Sequence, residues 1–90
     1  MQPAPLWREA VGRVLRDERV ARELRLSDVA GDAGVSTQYL SEVERGRKEP
    51  SSEVIEAVGG ALGLTLVDLT ERVTRHLRPA PPSGPLALAA

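Results

Sequence analysis

The chain has 90 residues with 13 acidic and 12 basic side chains, a net charge of −1 and no cysteine. This length allows one small domain with a tail, and the lack of cysteine excludes disulfides and thiolate metal sites and fits a reducing cytoplasm. The near-neutral charge argues against binding of nucleic acid over the whole surface, although a local basic cluster can still bind it.

The first residues predict an irregular lead-in at residues 1–5, which contain two prolines. The opening stretch MQPAPLWREA lacks a basic segment followed by an apolar run, so we expect no secretory signal. No apolar run in the chain approaches the about 20 residues needed to span a bilayer. We therefore expect a cytoplasmic protein that does not enter a membrane.

Helix 1 is predicted at about residues 6–23, because apolar residues recur there at steps of three and four. Gly12 weakens this helix by about 1 kcal/mol relative to alanine. The arginines of the opposite face are interpreted as solvated, with i,i+4 ion pairs to acidic neighbours. The predicted apolar stripe consists of Trp7, Val11, Val14 and Leu15, then Val20 or Ala21, and Leu24.

Two short helices follow, at about residues 26–33 and 37–45. Gly34 ends the first, because glycine readily adopts the left-handed conformation favoured after a helix. Val35 is an apolar plug in the turn, and Ser36 suits the N-cap of the second helix. The inward face of that helix is predicted to hold Leu40, Val43 and Glu44, and its exposed face Thr37, Gln38, Tyr39, Ser41, Glu42 and Arg45.

The last two helices are predicted at about residues 52–62 and 66–78, capped by Ser51 or Ser52 and by Thr65. The glycines at 59 and 60 cost the fourth helix about 2 kcal/mol together; either a close approach of another helix or local flexibility explains them. Pro79 ends the fifth helix, and the Pro/Gly/Ala-rich residues 79–90 are predicted to be a disordered tail.

No catalytic or metal site can be assembled from this sequence. Its one histidine, His76, is interpreted as a helix-terminus residue, and without cysteine a transition-metal site is not expected. No nucleophile, base and orienting group can be combined with it, so we expect neither an enzyme nor a cofactor.

Two short helices joined by the turn at Gly34 and Val35 predict a helix-turn-helix, a motif that places its second helix in the major groove of DNA. The alternative is a pair of ordinary core helices. Glu42 either accepts a hydrogen bond from cytosine N4 or is only tolerated at the edge of the DNA-binding face. Tyr39 either contacts phosphate or packs on helix 2. The predicted base readers are Thr37, Gln38, Ser41 and Glu42, and the predicted phosphate contacts here are Ser36, Tyr39, Arg45, Arg47 and Lys48.

The stretch LSDVAGDAGVSTQYLSEVERGRKEPSS resembles the Xre/Cro/C1-type helix-turn-helix family. The resemblance covers about residues 10–70, and its most specific part runs from Val35 to Arg47. Within that family, YLSEVERGRKEPSSE is particularly similar to the actinobacterial regulators of Clp protease genes, the ClgR/PopR type. The resemblance implies an all-α, five-helix, lambda-repressor-like DNA-binding domain at residues 6–78.

The resemblance also implies roles for individual residues. Family members often start helix 2 with a Thr-Gln pair whose Gln touches DNA; Arg25 and Leu26 stand there in this chain. We therefore predict that Arg25 contacts phosphate in place of the missing Gln. Without the Thr, helix 2 is also expected to be less well capped. The family pattern further implies a structural ion pair between Arg19 and Glu44.

The fifth helix is the predicted surface for a homodimer on a palindromic operator. The alternative is that its apolar residues only close the core of one chain. The tail ends in Leu88, Ala89 and Ala90, which resemble a C-terminal degron read by Clp proteases; the alternative is a featureless tail. The predicted interface residues are Leu66, Leu69, Val73 and Leu77.

Together these observations predict a dimeric, sequence-specific regulator that binds double-stranded DNA. The resemblance implies an activator of Clp protease genes, with RNA polymerase and Clp protease as further candidate partners. One alternative is an antitoxin or phage-type autorepressor. Another is a protein-interaction adaptor that has lost DNA binding, which the slight excess of acidic residues would favour.

Overall fold

The computed structural model describes residues 6–78, which form five helices and no strand within that range. The all-α architecture predicted from the sequence is confirmed, and none of these five helices is long and apolar enough to cross a membrane. The predicted lead-in, tail and degron lie outside the described residues. The helices are α1 (Trp7–Ala21), α2 (Leu26–Ala33), α3 (Thr37–Glu44), α4 (Ser52–Ala61) and α5 (Leu66–Leu77).

Helix α1 ends two residues earlier than the sequence pattern predicted. Glu23 adopts a φ of 56°, in the left-handed region that stops a helix, and the Leu24 N–H then donates to the carbonyl of Arg19 at 3.1 Å. The predicted apolar role of Val20 or Ala21 is wrong, because both are exposed, Val20 by 54 %. Leu24 packs against the core in their place.

Side-chain caps fix where α4 and α5 begin. The hydroxyl of Ser51, rather than that of Ser52, accepts from the Val54 N–H at 3.2 Å. Thr65 accepts from the Asp68 N–H at 3.0 Å, while the Asp68 carboxylate accepts from the Thr65 N–H at 3.2 Å. This reciprocal capping box holds the first turn of α5.

The core is entirely aliphatic and is built around α1. Helix α1 packs on α3 and α5, and α2 packs on α3 and α4. Trp7 was predicted to join the apolar stripe but is 42 % exposed, because it is the first residue of α1 and lies at the margin of the core. The largest side chains that are less than 2 % exposed are those of Leu15, Leu40, Leu62, Val11, Val29, Val43, Val58 and Val73.

Helix α1 lies directly against the end of α3 at Gly12. A Cβ at this position would lie 2.3 Å from the carbonyl oxygen of Val43 and 2.7 Å from that of Glu44. Only glycine therefore lets α1 lie against the end of α3. The close approach considered for the α4 glycines is absent at Gly60, where an added Cβ would meet no atom of another element within 4 Å. At Gly59 an added Cβ would make only ordinary van der Waals contacts.

Candidate nucleic-acid interface

The turn between α2 and α3 has the geometry that its residues predict. Gly34 has a φ of 71° and ends α2, and the Val35 N–H donates to the carbonyl of Ala30 at 3.0 Å. Ser36 is the N-cap of α3, its hydroxyl accepting from the Tyr39 N–H at 3.0 Å. The half-buried Val35 packs against the core, so this turn sets the direction in which α3 leaves.

Helix α3 has one buried face and one open polar face. Leu40 and Val43 are fully buried and hold the helix on the core. Thr37 and Gln38 are exposed, and Ser41 and Glu42, one turn further on, are half-buried. Within residues 6–78 none of these four polar side chains forms a hydrogen bond or ion pair with the protein. Their donors and acceptors are therefore available to an external partner.

Three exposed cations follow the open face of α3: Arg45, Arg47 and Lys48. The backbone that carries them is held in place. The Arg47 N–H donates to the carbonyl of Glu42 at 3.0 Å, and Nε of Arg8 donates to the carbonyl of Gly46 at 3.1 Å. The positive charges therefore project from an anchored loop at the end of the helix.

Tyr39 is half-buried and packs against the core, which agrees with the packing role considered for it. Nζ of Lys48 lies 6.0 Å from the centroid of its ring, within the range of a cation–π contact. Tyr39 thereby helps to position Lys48. A phosphate contact by its hydroxyl stays a prediction.

Arg25 is the N-cap of α2, and its side chain is 86 % exposed. It offers no oxygen to the first amides of the helix; instead, the Asp28 carboxylate accepts from the Arg25 N–H at 3.2 Å. The guanidinium lies 3.7 Å from the same carboxylate. Because an exposed ion pair contributes little stability, Arg25 could leave this carboxylate for a phosphate at little cost in free energy. Its role toward DNA stays a prediction.

Arg19 and Glu44 join α1 to the end of α3. Nε and Nη2 of Arg19 donate to the two carboxylate oxygens of Glu44 at 2.7 and 2.9 Å, and Nη1 donates to the carbonyl of Leu24 at 3.0 Å. The side chains are only 16 % and 6 % exposed. The hydrogen bonds that Arg19 donates to Glu44 raise the pKa of Arg19 above its ordinary value. Both charges are used within the domain, as expected for a structural pair.

A second ionic network joins α1 to α5, and it includes one of the i,i+4 pairs expected for the α1 arginines. The Glu18 carboxylate accepts from Nε of Arg22 at 2.8 Å and also from Arg72 on α5. Hydrogen bonds from Arg22 first, and from Arg72 second, hold the pKa of Glu18 below its ordinary value. The contact between Arg22 and Glu18 has i,i+4 spacing. Arg72 lies 54 residues from Glu18 in the sequence, so only the folded chain reveals that second contact.

The predicted dimer surface on α5 divides into two parts. Leu69 and Val73 are 3 % and 1 % exposed, so they close the core of the single chain. Leu66 is 54 % exposed and Leu77 is half-buried. Leu66 also lines an apolar cavity of about 180 Å³ with Trp7 on α1. Within the described residues, no cluster of three side chains is arranged to hold a metal ion.

Comparisons with known proteins agree with this geometry. Residues 10–73 match the family model described as a helix-turn-helix domain. The chain is 48 % identical over 87 residues to the transcriptional regulator ClgR of Mycobacterium tuberculosis, an alignment covering 90 % of this chain and 78 % of the relative. The structure resembles the crystal structure of the clp gene regulator ClgR from Corynebacterium glutamicum, with a TM-score of 0.80, 43 % identity and coverage of 83 % and 80 % of the two chains.

A more distant structural neighbour shares the fold alone. It is the restriction-modification controller protein C.Esp1396I, solved as a tetramer in complex with its natural 35 base-pair operator. The two structures have a TM-score of 0.75 at 18 % identity, over 81 % of this chain and 96 % of the other. The two ClgR comparisons, with their high identity and coverage, go beyond the fold: this chain belongs to the helix-turn-helix family of DNA-binding transcriptional regulators and is a relative of ClgR.

Proposed function

We propose that this protein inserts α3 into the major groove of double-stranded DNA and reads a specific operator there. The observation that carries the proposal is the open polar face of α3, with Thr37 and Gln38 exposed on a helix whose other face is fully buried. Because a rigid helix presents unpaired donors and acceptors at fixed positions, it can discriminate between base edges.

Each side chain on this face suits a different base contact. The side-chain amide of Gln38 can donate an N–H to adenine N7 while its carbonyl oxygen accepts from the N6 amino group, which is the bidentate contact typical of adenine. Thr37 offers a methyl group to thymine and a hydroxyl to other edges, and Ser41 offers a hydroxyl one turn further on. Glu42 can accept from cytosine N4.

The flanking groups suit the DNA backbone rather than the bases. Arg45, Arg47 and Lys48 follow the end of α3, and Arg25 lies at the start of α2. The Ser36 hydroxyl accepts the cap hydrogen bond, which leaves its own proton free to donate to a phosphate oxygen. We propose that these phosphate contacts determine the affinity for DNA and the orientation of the protein on it. The base contacts of α3 determine the sequence preference.

We further propose that the protein binds as a symmetric homodimer. A single α3 touches few base pairs, and two copies related by a twofold axis would read half-sites about 34 Å apart on a palindromic operator. Leu66 and Leu77 would form the accessible part of the interface on α5, with Leu69 and Val73 supporting them from the core.

The relationship to ClgR supports a regulatory target. Because the relative from Corynebacterium glutamicum is a clp gene regulator, we propose that this protein activates Clp protease genes in the cytoplasm and contacts RNA polymerase when it does so. We also propose that Clp protease recognises the segment Leu88, Ala89 and Ala90. Replacing Ala89 and Ala90 with aspartate should then prolong its lifetime in cells, and unchanged turnover would contradict this part.

The salt dependence of DNA binding tests the proposal against a protein-interaction adaptor. For a DNA-binding protein, the logarithm of the affinity falls linearly with the logarithm of the salt concentration. The slope of this line is about −0.9 for each phosphate that the protein neutralises. An adaptor would show no such slope. An autoregulating antitoxin or phage-type repressor would bind DNA too, but genome-wide mapping would find it at its own promoter rather than at clp promoters.

A further inference from the structure

A groove at the junction of α1, α2 and α3 opens beside the proposed DNA-reading face. It encloses about 350 Å³. Its α3 wall includes Ser41, a predicted base reader, and its α2 wall is Leu26, which directly follows Arg25. A ligand in this groove would therefore lie beside α3 and reach Arg45 at its end.

The groove contains three arginines and one carboxylate: Arg16, Arg19, Arg45 and Glu44. Arg19 and Glu44 neutralise each other through their two hydrogen bonds. Within residues 6–78, Arg16 and Arg45 take part in no ion pair, and both are exposed. The groove therefore keeps two positive charges that the fold does not use.

These two arginines also share a second cavity. A neighbouring depression of about 380 Å³ is lined by Arg16 and Arg45, by Arg13 on α1, and by the carboxylates of Glu9 and Glu44. Arg13 already has a partner there, since its Nε lies 3.5 Å from the Asp17 carboxylate. Arg16 and Arg45 thus mark the boundary between the two depressions, where one anion could contact both guanidinium groups.

We propose that Arg16 binds a backbone phosphate of DNA together with Arg45, so that α1 adds a contact to the interface. The ligand class is a phosphodiester, because the planar guanidinium group presents paired N–H donors that match phosphate oxygens. The phosphate belongs to the strand that passes the α1 side of α3, while Arg47 and Lys48 contact the backbone near the end of α3. This inference rests on the proposed function.

The test compares Arg16→Ala with Arg75→Ala. Arg75 is an exposed arginine of α5 that lines neither of the two depressions, and its removal changes the net charge by the same amount. Affinity is measured against salt on two duplexes of equal length, one selected by the wild-type protein from a random pool and one of mixed sequence. We expect Arg16→Ala to lose on the order of tenfold affinity on both duplexes and to reduce the salt slope by about 1.

Arg75→Ala should retain the wild-type affinity and slope, and Arg16→Lys should recover part of the loss because it restores the charge. Thermal unfolding of each variant checks that the domain remains folded. If the wild-type protein binds DNA but Arg16→Ala is indistinguishable from it, or if Arg75→Ala loses as much, the Arg16 assignment alone is overturned. If the wild-type protein shows no salt-dependent binding, the proposed function is overturned together with it.

Discussion

The guanidinium group of Arg19 on α1 holds the carboxylate of Glu44 on α3 through two hydrogen bonds of 2.7 and 2.9 Å. Glu44 is the last residue of α3, one position before Arg45. The pair therefore fixes the end of α3 at the point where the charged residues of the interface begin. Because it is largely withdrawn from water, its loss has a larger effect on the domain than the loss of a surface pair.

We predict that Glu44→Gln lowers the free energy of unfolding by about 2 to 3 kcal/mol, since it leaves the poorly solvated Arg19 without its counter-charge. Asp17→Asn is the matched control, because it makes the same chemical change in the exposed pair with Arg13. This control should change stability by less than about 1 kcal/mol. Urea unfolding measures both variants, and equal losses would contradict the structural role of Arg19 and Glu44.

We predict that Gly12→Ala destabilises the domain, although helix propensity alone predicts the opposite. The new methyl group would overlap the carbonyl oxygen of Val43 and force α1 away from α3, at a cost of about 1 to 3 kcal/mol. Gly60→Ala makes the same change in open space and should stabilise α4 by up to about 1 kcal/mol. Thermal unfolding of the two variants should give shifts of opposite sign; stabilisation by both would show that α1 and α3 are not in close contact.

Glu18 should make the stability of the domain depend on pH. Its pKa is lowered by hydrogen bonds from Arg22 and Arg72, so its contribution is fully present above its ordinary pKa of 4.5 and is lost as the pH falls through the lower value in the folded protein. The difference in unfolding free energy between the wild type and Glu18→Gln should therefore narrow below pH 4.5. Glu56→Gln, which leaves this network intact, is the control. A difference between wild type and Glu18→Gln that stays constant through this range would argue against the network.

Leu66→Glu should weaken the proposed dimer, because it places a charge on the exposed part of the α5 surface. Val20→Glu is the matched control, since Val20 is also 54 % exposed but lies on α1. Sedimentation equilibrium measures the dimer dissociation constant of both. We expect Leu66→Glu to be monomeric at concentrations where the wild type and Val20→Glu are dimeric; an unaffected dimer would place the interface elsewhere.

The sequence was sufficient to predict the helices because its local signals agree with the packing. Gly34 ends α2, Ser36 and Thr65 cap α3 and α5, and the alternation of buried and open residues along α3 follows from its spacing. These features depend on neighbours within a few positions. They are therefore readable without knowledge of the tertiary structure.

Most of the features that the sequence did not reveal depend on distant segments. From the sequence, Gly12 was interpreted only as a residue that weakens its helix. Its packing role depends on carbonyl groups of α3 about thirty residues away, which the local sequence does not indicate. The i,i+4 pairs of the α1 arginines were expected, but the contact of Glu18 with Arg72 and the groove that Arg16 lines with Arg45 were not. The exception is local: the left-handed conformation of Glu23, which stops α1 after Ala21, was not predicted because glutamate rarely adopts positive φ.

We propose that α3 reads DNA sequence through Gln38. The set of duplexes that the protein selects from a random pool tests this base reading most directly. The wild type should select a palindrome, and Gln38→Ala should relax the preference at one position of each half-site, at a cost of about 1 to 3 kcal/mol. Arg47→Ala should weaken binding to all sequences alike and leave the selected palindrome unchanged. If Gln38→Ala selects the same duplexes with the same preference as the wild type, Gln38 does not read the operator and the account of α3 is wrong.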